Sequence, residues 1–497
     1  MTELKIFNSL SRQKEVFIPL HPPHVGMYVC GPTVSGETHL GHARPYVTFD
    51  VVFRYLKYLG YKVRYVRNIT DAGHFEEEDR EAIDKVAVKA KVERLEPMEL
   101  VQKYTNIYHD MMDALNCERP SIEPTATGHI VEQITMIEDI LQKGLAYVAN
   151  GSVYFDVRKY AKNNDYGKLS GRKIDEMIAG SRELESQGEK RDPADFALWK
   201  NAPDEHLMRW KSPWGEGFPG WHIECSAMAT KYLGTPFDIH GGGMDLLFPH
   251  HESEIAQTKT ACGSAPVKYW MHNNMITVNG KKMGKSYNNT ITLRELFSGE
   301  QALLEQAYSP MTVRFFILQT HYRSTLDFTN DALKAAEKGL QRLMNALETI
   351  NKLKYSENAS DFIVEEDQKV RELSESCVQF MNDDFNTAMA MASLFELASK
   401  IYSYQHQQLK ISSIKKETFE ILLKTFNTFV SGILGLKNEN AEASDEKLNE
   451  VMKLMITLRN EARAKKDFAT SDKIRDELLK ADIQLKDGKE GTTWDKL

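Results

Sequence analysis

Two short stretches of this sequence set phosphate-handling residue types beside glycine. His39-Leu40-Gly41-His42 follows a short apolar run, and Lys282-Met283-Gly284-Lys285-Ser286 lies far downstream. Two imidazoles three residues apart can donate hydrogen bonds to a phosphate that gains charge during transfer, and the glycine lets a nucleotide approach the backbone. If a helix starts there, its N-terminus favours the same anion. Two lysines around a flexible glycine can reach the β- and γ-phosphates of ATP as mobile point charges. Taken alone, the first motif is equally well read as capping histidines, and the second is better read as a solvated basic loop. Both motifs, in this order, are much harder to obtain by chance.

A second constellation is more widely spread. Cys30, Cys225, His250 and Glu254 are all metal-ligand types, but none has the short CxxC spacing of a zinc module. A lone buried cysteine is usually a small hydrophobe. In the run His250-His251-Glu252-Ser253-Glu254, His250 and Glu254 are four apart and share a helix face, whereas His251 and Glu252 are expected to point elsewhere. By spacing alone, packing competes with metal binding and has the better case.

The elements that must position these residues read as α/β. Val25 to Cys30 is an apolar run that stops at Gly31-Pro32, which suits a buried strand and a turn. Val47, Val51, Tyr55 and Leu59 follow at helical spacing with Gly60 as the cap, and Tyr61 to Ile69 alternates like a second strand. Strand, helix, strand predicts a βαβ unit and a doubly wound parallel sheet. The rhythm breaks between about Cys117 and Trp214 and resumes at Trp221 to Met228 and Pro236 to His240. From Thr312 the chain reads as helical, with Phe316, Leu333, Leu340 and Leu343 in amphipathic settings and Tyr355 to Glu366 as a loop. Asn438 to Glu446 is polar and reads as a linker. Beyond it Val451, Leu454, Met455 and Leu458 form an apolar stripe, with Arg459, Arg463 and Lys466 on another face.

Several of these segments resemble the cysteinyl-tRNA synthetase family of class I aminoacyl-tRNA synthetases. The resemblance is carried by MYVCGPTV, by GHARPYVTFDVVFRYLKYLGYKVRYVRNITD, by KRDPADFALWK, PGWHIECSAM, DIHGGGMDLLFPHHESEIAQ and GTTW, which span Tyr28 to Trp494. It departs at Leu40 and Gly284, where the family's commoner residues are isoleucine and serine, in PTVSGETH, and in the longer run after Asp71. The resemblance implies a Rossmann-like parallel-sheet catalytic domain with a connective insertion, then an α-helical bundle and a small C-terminal α/β anticodon-binding domain. The expected boundaries are 1–116 and 215–265 for the two catalytic halves, 117–214 for the insertion, 266–311 for the lysine loop and stem-contact region, 312–437 for the bundle and 447–497 for the terminal domain.

It also implies a site. His39, His42, Lys282 and Lys285 serve the reaction, with Gly41, Gly241, Gly242, Gly243 and Lys285 on ATP. Thr70, Trp221 and His240 line the amino-acid pocket, and one zinc is held by Cys30, Cys225, His250 and Glu254. Mg²⁺ accompanies ATP, and Arg459, Arg463, Lys466 and Trp494 meet tRNA. The expected activity joins L-cysteine to tRNA(Cys) through an adenylate. The alternative is a related ligase that passes activated cysteine to a small-molecule amine.

Composition sets the remaining bounds. At 497 residues the chain is too long for one core, and about three to four domains are expected. The net charge of −8 leaves room for RNA only on a local basic face. The five cysteines lack disulfide-scaffold spacing, no run matches the roughly 20 apolar residues of a membrane span, and the start lacks a signal-peptide core. A monomer in a reducing cytosol is expected.

Overall fold

The strand expected ahead of His39 forms as β1 (His24–Val29), and the helix after it as α1 (Leu40–Tyr58). The computed structural model describes residues 3–72, 89–90, 95–175, 189–203, 206–284, 287–481, 483–488 and 491–496. Gly60 takes φ +91° just beyond α1, a conformation that L side chains resist, and the chain turns back into β2 (Lys62–Arg67). Later come α2 (Trp221–Leu233), β3 (Phe237–Gly243), α3 (His250–Cys262) and β4 (Val267–Asn273). The four strands pair in the order β4-β3-β1-β2, all parallel. Near-continuous burial along β3 and β4 is what a sheet covered on both faces requires. The order reverses between β1 and β3, so the crevice outside their C-terminal ends is the switch point where such sheets bind ligands.

Within residues 117–214 the sequence offered little periodicity, yet four strands form there and join a fifth just beyond in one antiparallel sheet. Their order is Ala146–Ala149, Ser152–Phe155, Phe196–Asn201, Gly215–Pro219 and Trp210–Ser212. The strand Gly215–Pro219 belongs to this sheet, which therefore continues past the expected limit at 214. Strands of three to six residues are too short to announce themselves by alternation. Ile137, Ile140, Phe155, Phe196 and Trp199 form a core with Ile223 and Ala227 of α2 and Ala256 of α3. The insertion is thus packed onto the helices that carry Cys225 and Glu254. Most of the charged run Gly180 to Pro193 lies outside the described residues.

The helical region packs into the same core as α1. Helices Pro310–Leu318, Asn330–Lys352, Val364–Asn382, Thr387–Gln405 and Lys416–Asn427 bury Phe316, Leu333, Leu340 and Leu343 as expected. One buried cation joins the parts. The Arg314 guanidinium donates to the Leu115 carbonyl at 2.9 Å and the Leu434 carbonyl at 2.7 Å, and to the Asp50 carboxylate of α1. Asp50 also accepts from Arg54.

Residues Met1–Leu436 form one compact unit and Lys437–Leu497 a second. In the second, helices Glu439–Ala464 and Phe468–Lys480 precede a hairpin of Ile483–Gly488 with Gly491–Lys496. Two expectations fail here. The stretch from Asn438 to Glu446 is no linker, because the first helix already runs through it from Glu439. The stretch is polar in aggregate, but its two alanines and three glutamates are strong helix formers. The buried face of that helix is also rotated from the expected one. Met452, Arg459 and Ala462 are buried, whereas Val451, Leu454 and Leu458 are exposed. Arg459 is only 2% exposed, so it does not share an outward stripe with the exposed Arg463 and Lys466. Trp494 pairs with Leu485 across the hairpin and is half-buried. No described helix is long and apolar enough to cross a membrane.

Removing one partner of a buried ion pair leaves the other charge unpaired, at a cost of about 3–5 kcal/mol. Arg314→Ala is therefore expected to lower the unfolding midpoint of the first unit sharply. A midpoint unchanged in differential scanning calorimetry would show that Arg54, which already donates to Asp50, is sufficient to hold that carboxylate.

Candidate active site

Four ligand-type side chains converge just beyond the C-terminal ends of β1 and β3. Cys30 follows β1, Cys225 lies in the second turn of α2, and His250 and Glu254 sit one turn apart at the start of α3. All four are buried, and their ligand atoms lie within 4.8 Å of one another. Cys30 Sγ is 3.8 Å from Cys225 Sγ and 3.9 Å from Glu254 Oε1. Two sulfurs each bound about 2.3 Å from a tetrahedral centre stand about 3.8 Å apart, so the thiol pair fits a shared metal ion. His250 Nε2 lies 3.0 Å from Glu254 Oε1 but outside hydrogen-bond geometry. A buried ring nitrogen turned toward a cluster of thiol and carboxylate ligand atoms is what a metal ligand looks like before the metal binds.

Outer partners orient these groups. His222 Nδ1 is 3.1 Å from His250 Nδ1, which leaves Nε2 facing the cluster. His240 Nε2 holds Glu254 Oε2 at 2.9 Å, which turns Oε1 inward. Contrary to expectation, His251 also faces the group: its Nε2 is 3.2 Å from Cys30 Sγ. Its Nδ1 meets His272 Nε2 at 2.8 Å, and His272 Nδ1 meets Ser9 Oγ at 2.8 Å. Cys30, His240, His251 and Glu254 therefore form a second possible ligand set that shares two members with the first. Adjacent helix positions differ by about 100°, but β1 and β4 flank β3 closely enough to meet both faces of α3.

The electrostatics match a cation-ready site. A hydrogen bond from Cys30 holds the Cys225 thiol down to about 6 against the opposing effect of burial. Burial, with Cys225 and Glu254 beside it, pushes the Cys30 thiol well up. Burial disfavours a charged His250, yet the Cys225 thiolate and Glu254 carboxylate raise it to about 10. Burial also opposes ionisation of Glu254, but His240 and His250 hold it down to about 2. Protons thus neutralise the donor set where a metal ion can replace them.

Beside the cluster lies a polar pocket. Thr70 Oγ1 donates to Glu224 Oε2 at 2.9 Å and accepts from Asn68 Nδ2 at 3.1 Å. Asn68 Oδ1 accepts from Gly31 N–H at 2.8 Å and is 3.7 Å from Cys225 Sγ. Gly31 has to be glycine, since a Cβ there falls 1.5 Å from the Asn68 carbonyl oxygen. The Trp221 ring lies 4.5 Å from the His250 ring, and the His240 ring 4.5 Å from Trp270. Asn68, Glu224, His222, His251 and His272 were missed from the sequence. The NIT, WHIEC and HH runs were the only signals for the first four, and His272 had none.

The phosphate motifs also meet. His39 is the N-cap of α1, and its backbone N–H donates to His42 Nδ1 at 3.3 Å, with the two rings stacked 3.7 Å apart. The capping role and the phosphate role are therefore compatible, because this cap is the helix end that an anion meets. A Cβ on Gly41 falls 2.8 Å from the Met283 methyl, so the lysine loop lies over the histidine turn. Lys282 is exposed, and Lys285 lies outside the described residues. Two residues past His42, the buried Arg44 donates to the carbonyls of Met275, Tyr322 and Ser324, which bracket that loop. The glycines of β3 are explained by packing. A Cβ on Gly241 meets the Phe49 ring of α1 at 2.3 Å, and one on Gly242 meets His251 and Leu246 at 2.9 Å.

The chain is similar to known proteins in sequence and in fold. The catalytic-domain profile of class I (C) tRNA synthetases matches residues 16–338, and that of the DALR domain matches 378–439. A cysteine–tRNA ligase of Phocaeicola vulgatus is 57% identical over 494 residues, covering 99% of each chain. One from Chlorobaculum tepidum is 47% identical over 504 residues, covering 100% of this chain and 99% of its own. Among solved structures, a methionyl-tRNA synthetase of Mycobacterium tuberculosis bound by methionyl-adenylate superposes with a TM-score of 0.57 at 12% identity, covering 83% of this chain and 92% of its own. A leucyl enzyme of Agrobacterium radiobacter in complex with tRNA gives 0.56 at 13%, covering 84% and 85%. These two likenesses show the fold.

The cluster is expected to bind one divalent ion per chain, with the charge-transfer bands of a thiolate site when cobalt(II) is used as the probe. Cys225→Ser should abolish those bands, while the remote Cys377→Ser leaves them intact. Full cobalt absorption from the Cys225 variant would remove the cluster from consideration.

Proposed function

The chain belongs to the cysteine–tRNA ligases, class I tRNA synthetases by their catalytic domain, and from that premise we propose how its residues divide the work. The reaction is ATP-dependent ligation of L-cysteine to tRNA(Cys). The cysteine carboxylate attacks the α-phosphorus of ATP, pyrophosphate leaves, and cysteinyl-adenylate forms. A terminal hydroxyl of the tRNA then attacks the activated carbonyl, and AMP leaves.

The observation that carries the assignment is the buried group of Cys30, Cys225, His250 and Glu254 beyond the C-terminal ends of β1 and β3. Cysteine and serine differ by one atom, and shape alone discriminates such pairs only about 10–200-fold. When bound by these four residues, zinc supplies a soft Lewis acid that takes a thiolate and is a poor host for an alcohol. His222 and His240 orient His250 and Glu254, and His251 stands by Cys30. Thr70, Glu224 and Trp221 flank the space where the amino acid would lie.

His39 and His42, on the N-terminus of α1, donate to the phosphate as charge develops on it. Lys282 and Lys285 bind the β- and γ-phosphates with Mg²⁺. Gly41 keeps the backbone open to the nucleotide, and Gly241 to Gly243 shape the crevice floor. Residues Lys437–Leu497 meet the anticodon end of the tRNA, through Arg463, Lys466 and Trp494 on the exposed and half-buried positions of that unit. Buried Arg459 is not among the contacts. The small-molecule alternative is not favoured, because curated cysteine–tRNA ligases match over nearly the full length of the chain. A monomer in the cytosol, where thiols stay reduced, is the setting that fits.

Cysteine-dependent exchange of ATP and pyrophosphate tests the reading, with serine and no amino acid as controls. His39→Ala and His42→Ala should each slow exchange about 10²–10³-fold with little change in KM for cysteine, because the charge they meet exists only in the transition state. Unaltered single-turnover activation would make the histidines purely structural. A chain ending at Leu436 should keep exchange and lose most tRNA charging. Intact charging by that truncate would free the second unit from any part in tRNA recognition.

A further inference from the structure

One side chain outside both nucleotide motifs ties them together. Asn289 stands five residues beyond Gly284, is buried, and uses both ends of its amide on the lysine loop. Its Oδ1 accepts from the Gly284 N–H at 2.9 Å, and its Nδ2 donates to the Lys282 carbonyl at 3.0 Å. The pair of bonds fixes the amide's orientation, since a flipped amide would set nitrogen against N–H and oxygen against C=O. Both partners are backbone groups, so the clamp works whatever side chains the loop carries. That matters in this chain, because glycine at 284 supplies no hydroxyl that could fix the loop.

The connection continues into the histidine turn. Two residues beyond Asn289, the Ile291 carbonyl accepts from the Leu40 N–H at 3.0 Å, and Leu293 N–H donates to the Thr38 carbonyl at 2.8 Å. His39 bridges Thr292 between them. Asn289 thus stands at the joint between the segment bridged to His39 and a loop whose Lys282 pairs with Thr277 and whose Gly284 carbonyl accepts from the Tyr287 N–H at 3.0 Å. Met283 over Gly41 is the visible result.

We propose that Asn289 is a positioning residue for amino-acid activation, holding Lys282-Met283-Gly284 in register with the His39 turn. Lys282 then starts from the correct reach to the ATP phosphates. The inference rests on the assignment of that lysine to ATP. The residue touches no reacting atom, so its effect is confined to the ATP-dependent part of catalysis.

Pyrophosphate exchange by the full chain, with ATP and cysteine varied separately, tests it. Asn289→Ala should lower kcat/KM for ATP by about 10–30-fold, the scale of two lost hydrogen bonds. KM for cysteine, metal content and melting temperature should stay at wild-type values. Asn289→Asp keeps the acceptor for Gly284 but faces the Lys282 carbonyl with a second oxygen, and should fall at least as far. Being isosteric, it also serves the test if the alanine variant does not fold. Unchanged ATP kinetics in both variants, alongside a slowed Lys282→Ala, would overturn the proposal and spare the lysine assignment. A Lys282→Ala enzyme of normal rate would instead remove the assignment on which the proposal stands. Loss of cysteine affinity or metal in step with ATP would mark Asn289 as merely structural and also overturn it.

Discussion

Two thiols, an imidazole and a carboxylate are buried together at the switch point of a parallel sheet, and much of the structure answers to that burial. Isolated charges in such an interior are costly unless they are paired or bind a metal. The protein meets the cost in layers. Cys225 and Glu254 hold negative charge, and His250 and His240 answer it. The outer histidines then fix which nitrogen or oxygen faces inward. The burial of Cys30 ties β1 to the same point, while His272 on β4 reaches it through His251.

The insertion supports this cluster from outside the sheet. Its antiparallel sheet and the helix Ile130–Gln142 share a core with α2 and α3, so the helices carrying three of the four ligands are packed on two sides. Glu252, beside the ligands, is buried and accepts from the Ser170 N–H at 2.9 Å, which anchors the insertion at the start of α3. Rigid support of this kind is what metal selectivity requires, because a soft, adaptable site would admit oxygen ligands as well.

The nucleotide side is built on a different principle. It has few buried charges and depends on backbone hydrogen bonds that align a helix end with a loop. Arg44 gives its whole guanidinium to carbonyls, and burial lowers it to about 10, which leaves it protonated at neutral pH. Arg314 likewise links α1 to the helical region, through carbonyls and the Asp50 carboxylate. Neither is a surface ornament: each joins segments more than two hundred residues apart, as the pairs Arg44–Met275 and Arg314–Asp50 show.

Local patterns carried the first βαβ unit, the cap at His39, the glycine after α1 and the shared face of His250 and Glu254, because each depends on residues within a few turns of one another. The meeting of Cys30 with Cys225 is different in kind. These residues are 195 positions apart, and no spacing rule links them until β3 pairs with β1. Resemblance to a family supplied the grouping that physical reading of the chain alone left open. Tertiary packing alone decided the rest. It turned His251 inward, assigned Gly241 to the Phe49 ring, and rolled the terminal helix so that Arg459 is buried and Leu454 exposed. A helix's own sequence fixes its period, but which face is covered depends on what the chain brings against it.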